Sequence, residues 1–499
     1  MKHEARSGSV TLLVAAVCAS VLLTVVVLTV VNSGDVGVAG LAIAVLFVAV
    51  SIALIVILTG QFRPLSLIAI LIYCHVVLFI GRPGFAVLYQ DSTNLFTRRG
   101  YDQSFLQAQL VAGVGLVCLV AAYCLVVGRR QNHADVLAVP SDLWARVRTG
   151  LWILVVVGFS LYLLYILQVG WASYWGSVFS GRSDENRSAL QSSSAYLYAG
   201  LRFATGALIL VFFQAMSAGW RKSAVVSITL IVLAAVPSFV SGNRSDFIPI
   251  AVALVMILAA TRPGFARARN AVFGLPIFVV VFLVAPRLWR NDLSTGGSII
   301  DSISESLSLR GIFEGFLGGY DTAMVDAFSV QIATQASGSL PPAFGSTYLA
   351  ALLSVVPRNI WPGKPESVDE VLNSAIFPAT DARGIGFAFG FYSEPHFNFG
   401  IWGVVAVALI FGILLGVITR AHDSSPNLFM AYVYVMTAAH LFPIMRGSLT
   451  FSSQRLLIPL IPVLIVLVVF AGRYLRYAAD GSGRESARVA DRIAHVPRR

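Results

Sequence analysis

The sequence predicts an all-α membrane protein, a polytopic transmembrane helical bundle of about 12 spans with one long helical extracytoplasmic loop. Of the 499 residues, 57% are hydrophobic and only 12% are charged, half of the roughly 25% that soluble proteins contain. The apolar residues also form continuous runs of about 20, the length of a helix that crosses a bilayer core. This composition excludes a soluble multidomain protein and a disordered chain. The continuous runs exclude an outer-membrane β-barrel, whose strands alternate.

The apolar runs divide the chain into four parts. Residues 1–286 hold nine predicted helices, 287–397 form the long loop, 398–472 hold three further helices, and 473–499 form a basic cytoplasmic tail. The first run is too long for a signal peptide and a second run follows at once, so we expect a retained helix. The third run is the least regular, because Gly81–Gly84 interrupts it. The predicted spans are 11–32, 36–59, 66–88, 104–128, 150–170, 195–218, 224–241, 246–261, 270–286, 398–419, 427–445 and 455–472.

The distribution of charge predicts that both termini are cytoplasmic. In that orientation the inner segments carry 20 of the 35 Lys and Arg residues but only 7 of the 24 Asp and Glu residues. Excess Lys and Arg on the cytoplasmic side is the usual signature of membrane topology. The net charge of +11 is therefore mostly a topology signal and does not predict nucleic-acid binding.

The outer segments nevertheless carry 15 basic residues, which predicts an anionic ligand at the outer leaflet. Basic residues are normally scarce in short outer loops, and arginine binds phosphate groups through a planar fork of donors. Arg187 lies in the outer loop after span five, and Arg244 lies in the turn between spans seven and eight. The alternative is that single arginines pair with outer acids, as Arg244 could with Asp246, or extend to lipid headgroups.

The long loop is predicted to be helical and folded, because loops of this length are seldom simple linkers. The stretch 301–317 is amphipathic. The apolar run 347–356 is too short to span, so we expect an interfacial or re-entrant helix that ends at Pro357.

Residues 357–365 (PRNIWPGKP), hereafter the strap, are a candidate anion-binding segment. Three prolines and a glycine predict a stiff, non-helical backbone that carries Arg358, Trp361 and Lys364. A rigid backbone lowers the entropy lost when two cations are held on one anion. The alternative is an interfacial tryptophan with cations that extend to headgroups.

The end of the long loop places Glu394 and His396 where outer water meets an apolar helix, close to Asn398. A carboxylate or an imidazole at such a boundary suits general base catalysis. The sequence does not decide which of the two is the base. The alternative for Glu394 is an acid favoured by the dipole at a helix N-terminus.

The sequence predicts neither a cofactor nor a metal site. The four cysteines lie in apolar runs without partnering histidines, as expected for buried hydrophobic residues. No P-loop, HExxH, EF-hand or GxSxG motif occurs. Asp321 and Asp326 are five residues apart and do not share a helix face, so we expect contacts to sugar hydroxyls or structural partners.

Three stretches, taken in order, resemble the O-antigen polymerases, which are Wzy-type oligosaccharide repeat-unit polymerases. They are GNRSDF after a span, GSTYLAALLSVVPRNIWPGKP in the long loop, and GFYSEPHFNFGIWG entering the next span. The resemblance covers about residues 170–460 and implies a metal-independent glycosyltransferase of the bacterial inner membrane. Such an enzyme moves a glycan chain from an undecaprenyl diphosphate lipid to a sugar hydroxyl of a new lipid-linked unit at the outer face.

The resemblance also implies roles for single residues. Arg358 and Lys364 match strap cations, Arg244 matches the turn arginine and Glu394 matches the outer acid. Some members have ten residues between an outer-loop arginine and a glycine, whereas Arg187 is followed by twelve before the next glycine. The predicted catalytic residues are Glu394, His396 and Arg358, and the predicted substrate-binding residues are Arg244, Lys364, Arg187, Trp361, Asp321 and Asn398.

The expected partners are the undecaprenyl-diphosphate-linked oligosaccharide and the lipid bilayer, with a flippase and a chain-length regulator as further candidates. Two other functions stay open. A ligase-like enzyme would use the same donor and site but another acceptor. A flippase for lipid-linked oligosaccharide would need cations at several depths of a central cavity, whereas the predicted cations concentrate at one face.

Overall fold

The computed structural model describes residues 36–89, 102–129, 141–180, 195–240, 244–262, 317, 322–353, 361–382, 386–424 and 427–479. Their regular structure is helical. The helices are α1 Val36–Thr59, α2 Leu67–His75, α3 Arg82–Tyr89, α4 Asp102–Val127, α5 Ser141–Val169, α6 Trp171–Ser180, α7 Ala195–Ser217, α8 Arg221–Val240, α9 Arg244–Thr261, α10 Met324–Ala336, α11 Ser346–Leu352, α12 Val368–Ile376, α13 Pro378–Asp381, α14 Ser393–Ser424, α15 Leu428–Arg446 and α16 Leu449–Ala479.

The described chain has nine helical segments that are long and apolar enough to cross a membrane, so the protein is an integral membrane protein. A tenth apolar helix, Asp246–Thr261, is shorter. The predicted spans 11–32 and 270–286 lie outside the described residues, and the total of about 12 therefore stays a prediction. The nine segments are Val36–Thr59, Leu67–Val87, Gln103–Val127, Leu143–Val169, Leu197–Ser217, Arg221–Phe239, Ser393–Ser424, Leu428–Arg446 and Leu449–Phe470.

The third predicted span stays helical in spite of its glycines and proline. A π-helical turn, Val76–Gly81, joins α2 to α3, and Pro83 is the second residue after it. Proline lacks a backbone N–H, and a wider turn before it is one way to accommodate the lost hydrogen bond.

Glycines allow neighbouring helices to approach closely. A Cβ atom on Gly206 of α7 would lie 2.5 Å from the carbonyl oxygen of Pro459 in α16. A Cβ atom on Gly412 of α14 would lie 2.2 Å from the carbonyl oxygen of Leu119 in α4. Small residues at such crossings let backbones pack directly. The contact at Gly206 brings together α7, which carries Arg202, and α16, which carries Arg455.

The described part of residues 287–397 contains the helices α10 to α13 and the start of α14, and its assignment as one long helical extracytoplasmic loop stays a prediction. Helix α11 covers the first part of the predicted interfacial run 347–356, and residues 354–356 of that run lie outside the described residues. The stretch 301–316 lies outside the described residues. A small apolar core joins α10 and α12 to the start of α14; its members are Ala323, Ala327, Val330, Leu340, Val368, Leu372, Phe387, Phe389 and Phe397.

A buried ion pair fixes α10 against the membrane helices. Arg82 of α3 and Asp326 of α10 approach to 3.2 Å, and their side chains are 2% and 1% exposed. Arg82 also donates to the carbonyl oxygen of Leu317 at 3.2 Å. Of the two roles expected for Asp326, the contacts favour the structural one.

Helix α14 is broken near its start. Phe399 and Gly400 have non-helical dihedrals, and Gly400 has φ = 62° and ψ = −151°. Only glycine adopts this region readily. The break separates the first turn, Ser393–Asn398, from the long apolar part of the helix. The first turn carries both predicted candidates for the base, Glu394 and His396.

Candidate functional site

The Glu394 side chain is buried in the first turn of α14, with 3% of the residue exposed. Its Oε2 atom accepts a hydrogen bond of 2.6 Å from the backbone N–H of Leu449, the first residue of α16. Its Oε1 atom is buried and has no hydrogen-bond partner among the described residues. The Thr347 hydroxyl approaches the carboxylate but lies outside hydrogen-bonding geometry for Oε1. One oxygen is thus fixed by the protein, and the other is left for another donor.

A second carboxylate, Asp369 of α12, holds the same helix start. Its Oδ2 atom accepts a hydrogen bond of 2.5 Å from the Ser448 hydroxyl, which in turn accepts from the backbone N–H of Phe451 at 3.2 Å. Burial raises the pKa of Asp369, against the opposing effects of the Ser448 hydroxyl and the Arg446 charge. The N-terminus of α16 therefore lies between Glu394 and Asp369. The sequence analysis did not identify Asp369.

Asn398 positions α11 against the first turn of α14. Its Oδ1 atom accepts from the backbone N–H of Gly345 at 2.7 Å. Its Nδ2 atom donates to the Thr347 hydroxyl at 2.7 Å and to the carbonyl oxygen of Glu394 at 2.8 Å. Both amide hydrogens are thus engaged within the protein, which favours a positioning role. Direct substrate binding by Asn398 stays a prediction.

His396 lies on the opposite side of α14 from Glu394. Two residues along a helix correspond to a rotation of about 200°. The His396 Nδ1 atom is 3.1 Å from the Gln335 Oε1 atom of α10, and its ring packs edge-on against Phe328. It also lines a cavity of about 300 Å³ together with Ile401 and side chains of α4. The structure therefore does not bring together the two residues that the sequence offered as alternative bases.

Two arginines converge on one aspartate beside α16. Asp246, in the first turn of α9, accepts from Arg202 of α7 at 3.1 Å and from Arg455 of α16. The Tyr198 hydroxyl donates to the same carboxylate at 3.0 Å. We call Arg202, Asp246 and Arg455 the arginine cluster. Because one carboxylate faces two guanidinium groups, the cluster carries an excess positive charge.

Each of these arginines is held over an aromatic ring of its own helix. The Arg202 guanidinium lies 5.6 Å from the ring centre of Tyr198, and that of Arg455 lies 4.5 Å from the ring centre of Phe451. Such cation–π contacts restrain the side chains. A cavity of about 40 Å³, also lined by His440, adjoins the cluster. The cavity has room for a polar group about the size of a water molecule. Because the cluster carries an excess buried positive charge, an anionic group is favoured there.

Arg455 of the arginine cluster and the residue that binds Glu394 lie within the first two turns of α16. Leu449, which binds Glu394, and Arg455 are six residues apart in α16, which is about 9 Å along the helix axis. Arg446, at the end of α15, lies within electrostatic range of both Asp369 and Arg455. A buried carboxylate and fixed cations that are both held near the start of α16 can serve proton abstraction and anion stabilisation together.

The other predicted site residues are only partly described. Trp361 and Lys364 form one turn of the strap, with a backbone hydrogen bond of 3.2 Å from Lys364 to the Trp361 carbonyl oxygen. Trp361 is exposed. Arg244 is the first residue of α9, two positions before Asp246. Arg358, Arg187 and Asp321 lie outside the described residues.

The family model of the O-antigen polysaccharide polymerase Wzy matches residues 13–477, nearly the whole chain. The chain belongs to the Wzy family. Searches of the curated proteins and of the solved structures find no match. The family match confirms the resemblance that the three sequence stretches indicated and extends it well beyond residues 170–460.

Sequence reasoning did not bring Arg202 and Arg455 of this Wzy family chain together. Their signal was present, because an ionisable residue within an apolar span is a candidate functional residue. Their meeting at Asp246 depends on helices that are far apart in sequence, and no local pattern reports it. Within the described residues, no three His, Cys, Asp or Glu side chains are grouped as a metal site would require.

Proposed function

We propose that this Wzy family member is a polysaccharide polymerase of the bacterial inner membrane, with both termini in the cytoplasm. It transfers a glycan chain from polyprenyl diphosphate to the sugar hydroxyl of a new lipid-linked repeat unit at the outer face. The observation that supports this most is the short distance along α16 between the buried Glu394 carboxylate and the arginine cluster.

The proposed reaction is one displacement. The oxygen of the acceptor hydroxyl attacks the anomeric carbon of the donor, the bond from that carbon to the diphosphate oxygen breaks, and its electron pair leaves with the diphosphate. The hydroxyl proton passes to Oε1 of Glu394. Arg202 and Arg455 stabilise the charge that develops on the diphosphate, because fixed cations in a partly dry site need no reorganisation. This arrangement assigns to side chains the charge stabilisation that a metal ion provides in other transferases.

The strap and the outer loops complete the proposed site. Arg358 and Lys364 of the strap, with Arg244 and Arg187, would supply further cations for the donor diphosphate. Trp361 would cover a sugar face. Asp321 and Asn398 keep their predicted roles as sugar contacts. His396, on the other side of α14, is no longer equivalent to Glu394 in this scheme.

The proposal can be tested with purified protein in liposomes that contain the lipid-diphosphate oligosaccharide. A ladder of products that differ by one repeat unit is expected. Glu394→Gln, which keeps the shape but not the basicity, should lower the rate by about 100-fold or more. Arg455→Lys should also lower it, because a single ammonium cannot replace the planar fork of donors.

Arg63→Lys is the matched control. Arg63 also pairs with an aspartate, Asp423, at 3.6 Å, but at the opposite end of α14 from Glu394. The Arg63→Lys variant should form the same ladder of products as the wild type. Transfer of a single block to an unrelated acceptor would instead indicate a ligase, and movement of lipid across the vesicle without any product would indicate a flippase. Full activity of Glu394→Gln would contradict the assigned base.

A further inference from the structure

Three buried polar atoms without a hydrogen-bond partner surround the start of α16. They are Oε1 of Glu394, the hydroxyl oxygen of Tyr348 and the hydroxyl oxygen of Thr450. Nearly all buried polar atoms in folded proteins have a partner. Leaving one unpaired destabilises the folded protein, so three at one place call for a common explanation.

The contacts place the three residues around one point. Thr450 follows Leu449, whose backbone N–H binds the other oxygen of Glu394. Tyr348 belongs to α11, which packs against α16 and α14 and is bound to the first turn of α14 through the hydrogen bond from Asn398 to Thr347. Burial, with a smaller effect of the nearby Glu394 charge, raises the pKa of the Tyr348 phenol. Tyr348 is also fixed by its ring, which is stacked on Phe399 at 6.3 Å between centroids.

The chemistry of the three groups matches a sugar with neighbouring hydroxyls. A carboxylate oxygen only accepts hydrogen bonds, whereas the phenol and the threonine hydroxyl each donate one and accept others. A sugar hydroxyl can donate to Glu394 while its oxygen keeps a lone pair for attack. The adjacent hydroxyl of the same ring can accept from Tyr348 or Thr450.

We propose that Glu394, Tyr348 and Thr450 form the acceptor subsite, in which Tyr348 and Thr450 are positioning residues for the attacking sugar of the incoming repeat unit. This inference rests on the proposed polymerase function and adds the place of its acceptor. Glu394 takes the proton of the attacking hydroxyl, as in the reaction above. Tyr348 and Thr450 hold the ring so that this hydroxyl faces Oε1. The donor diphosphate then lies further along α16, at the arginine cluster.

The test uses the full-length protein in liposomes and two substitutions that remove a hydroxyl but keep the shape, Tyr348→Phe and Thr450→Val. Each should raise the KM for the acceptor lipid by about 3- to 10-fold, the range expected for one hydrogen bond. The KM for the donor lipid should stay unchanged. Thr419→Val, which removes another buried hydroxyl without a partner near the far end of α14, is the matched control and should change neither value.

The outcomes separate the two proposals. If the wild-type protein forms a ladder and both substitutions leave the acceptor KM unchanged, the subsite is wrong while the polymerase function stands. The same result, accompanied by a lower unfolding temperature for either variant, would show that the hydroxyl binds only buried water and would also overturn the subsite. If the wild-type protein forms no ladder, the polymerase function itself fails. An equal rise in both KM values would show general distortion and also overturn the subsite.

Discussion

The buried ion pair between Arg82 and Asp326 allows a quantitative prediction. At 3.2 Å between charged atoms and an effective dielectric constant of about 20, the attraction within the pair is about 5 kcal/mol. Removing one partner leaves a buried charge without its counterion, which costs about 3–5 kcal/mol. Arg82→Met should therefore lower the free energy of unfolding by that amount.

Removing both charges should restore most of the loss. The double variant Arg82→Met with Asp326→Leu leaves no isolated charge, and comparable replacements of buried pairs by apolar residues are close to neutral or stabilising. The partly exposed pair Arg63–Asp423, 3.6 Å apart with side chains 22% and 19% exposed, is the control. Arg63→Met should cost less than about 1 kcal/mol because water screens the pair.

Equilibrium unfolding in mixed detergent micelles is measured for five proteins: the wild type, Arg82→Met, Asp326→Leu, the double variant and Arg63→Met. The free energy of the double variant should exceed that of Arg82→Met by about 2 kcal/mol or more. Equal losses for Arg82→Met and Arg63→Met would refute the argument, because burial would then make no difference. A double variant that loses the sum of the single losses would refute it as well.

Two further predictions concern the turns next to the site. Because burial raises the pKa of Asp369 above its ordinary value of 3.8, the folded protein binds this proton more tightly than the unfolded chain does. The resulting stabilisation is full below about pH 3.8 and is lost as the pH rises through the raised pKa. Unfolding midpoints of the wild type, measured across this range, should therefore fall as the pH rises. The fall should be as large in Asp381→Asn and smaller in Asp369→Asn. Gly400→Ala should lower the free energy of unfolding by about 1–3 kcal/mol, because Gly400 has φ = 62° and ψ = −151°, a region that other residues avoid. Gly176→Ala, a position with open space around it, should cost less, and equal losses would argue against strain at the helix break.

The transmembrane helices were predictable because hydropathy is a local property. The second predicted span, 36–59, agrees with α1 at both ends. The fifth span begins earlier than predicted, because α5 starts at Ser141 and includes Arg146 and Arg148. Charged residues in the first turns of a helix lower the hydropathy of the window without preventing the helix from forming. Span boundaries read from hydropathy therefore err most where a helix extends beyond the apolar core.

The candidate site was predictable only in part. The position of Glu394 between water and an apolar helix is visible in the sequence, but its burial depends on packing against the start of α16, 55 residues further along the chain. The contact of Asp369 with Ser448 joins residues 79 positions apart, and the contact of Arg455 with Asp246 joins residues 209 positions apart. Such pairs depend on how the helices pack. Composition and spacing report only that these residue types are present.

The geometry of α16 gives the proposed site its internal consistency. The backbone N–H of its first residue binds Glu394, and Arg455 lies within its second turn. A hydrogen-bonded helix is stiff over two turns, so the carboxylate and the guanidinium group are held at a nearly constant separation. In the proposed reaction the anomeric carbon must lie between the group that takes the proton and the group that receives the diphosphate. Helix α16 carries Arg455 itself and holds Glu394 of α14 through the N–H of its first residue, so one stiff element sets the position of both groups relative to the breaking bond, whereas a flexible loop that carried one of them would not.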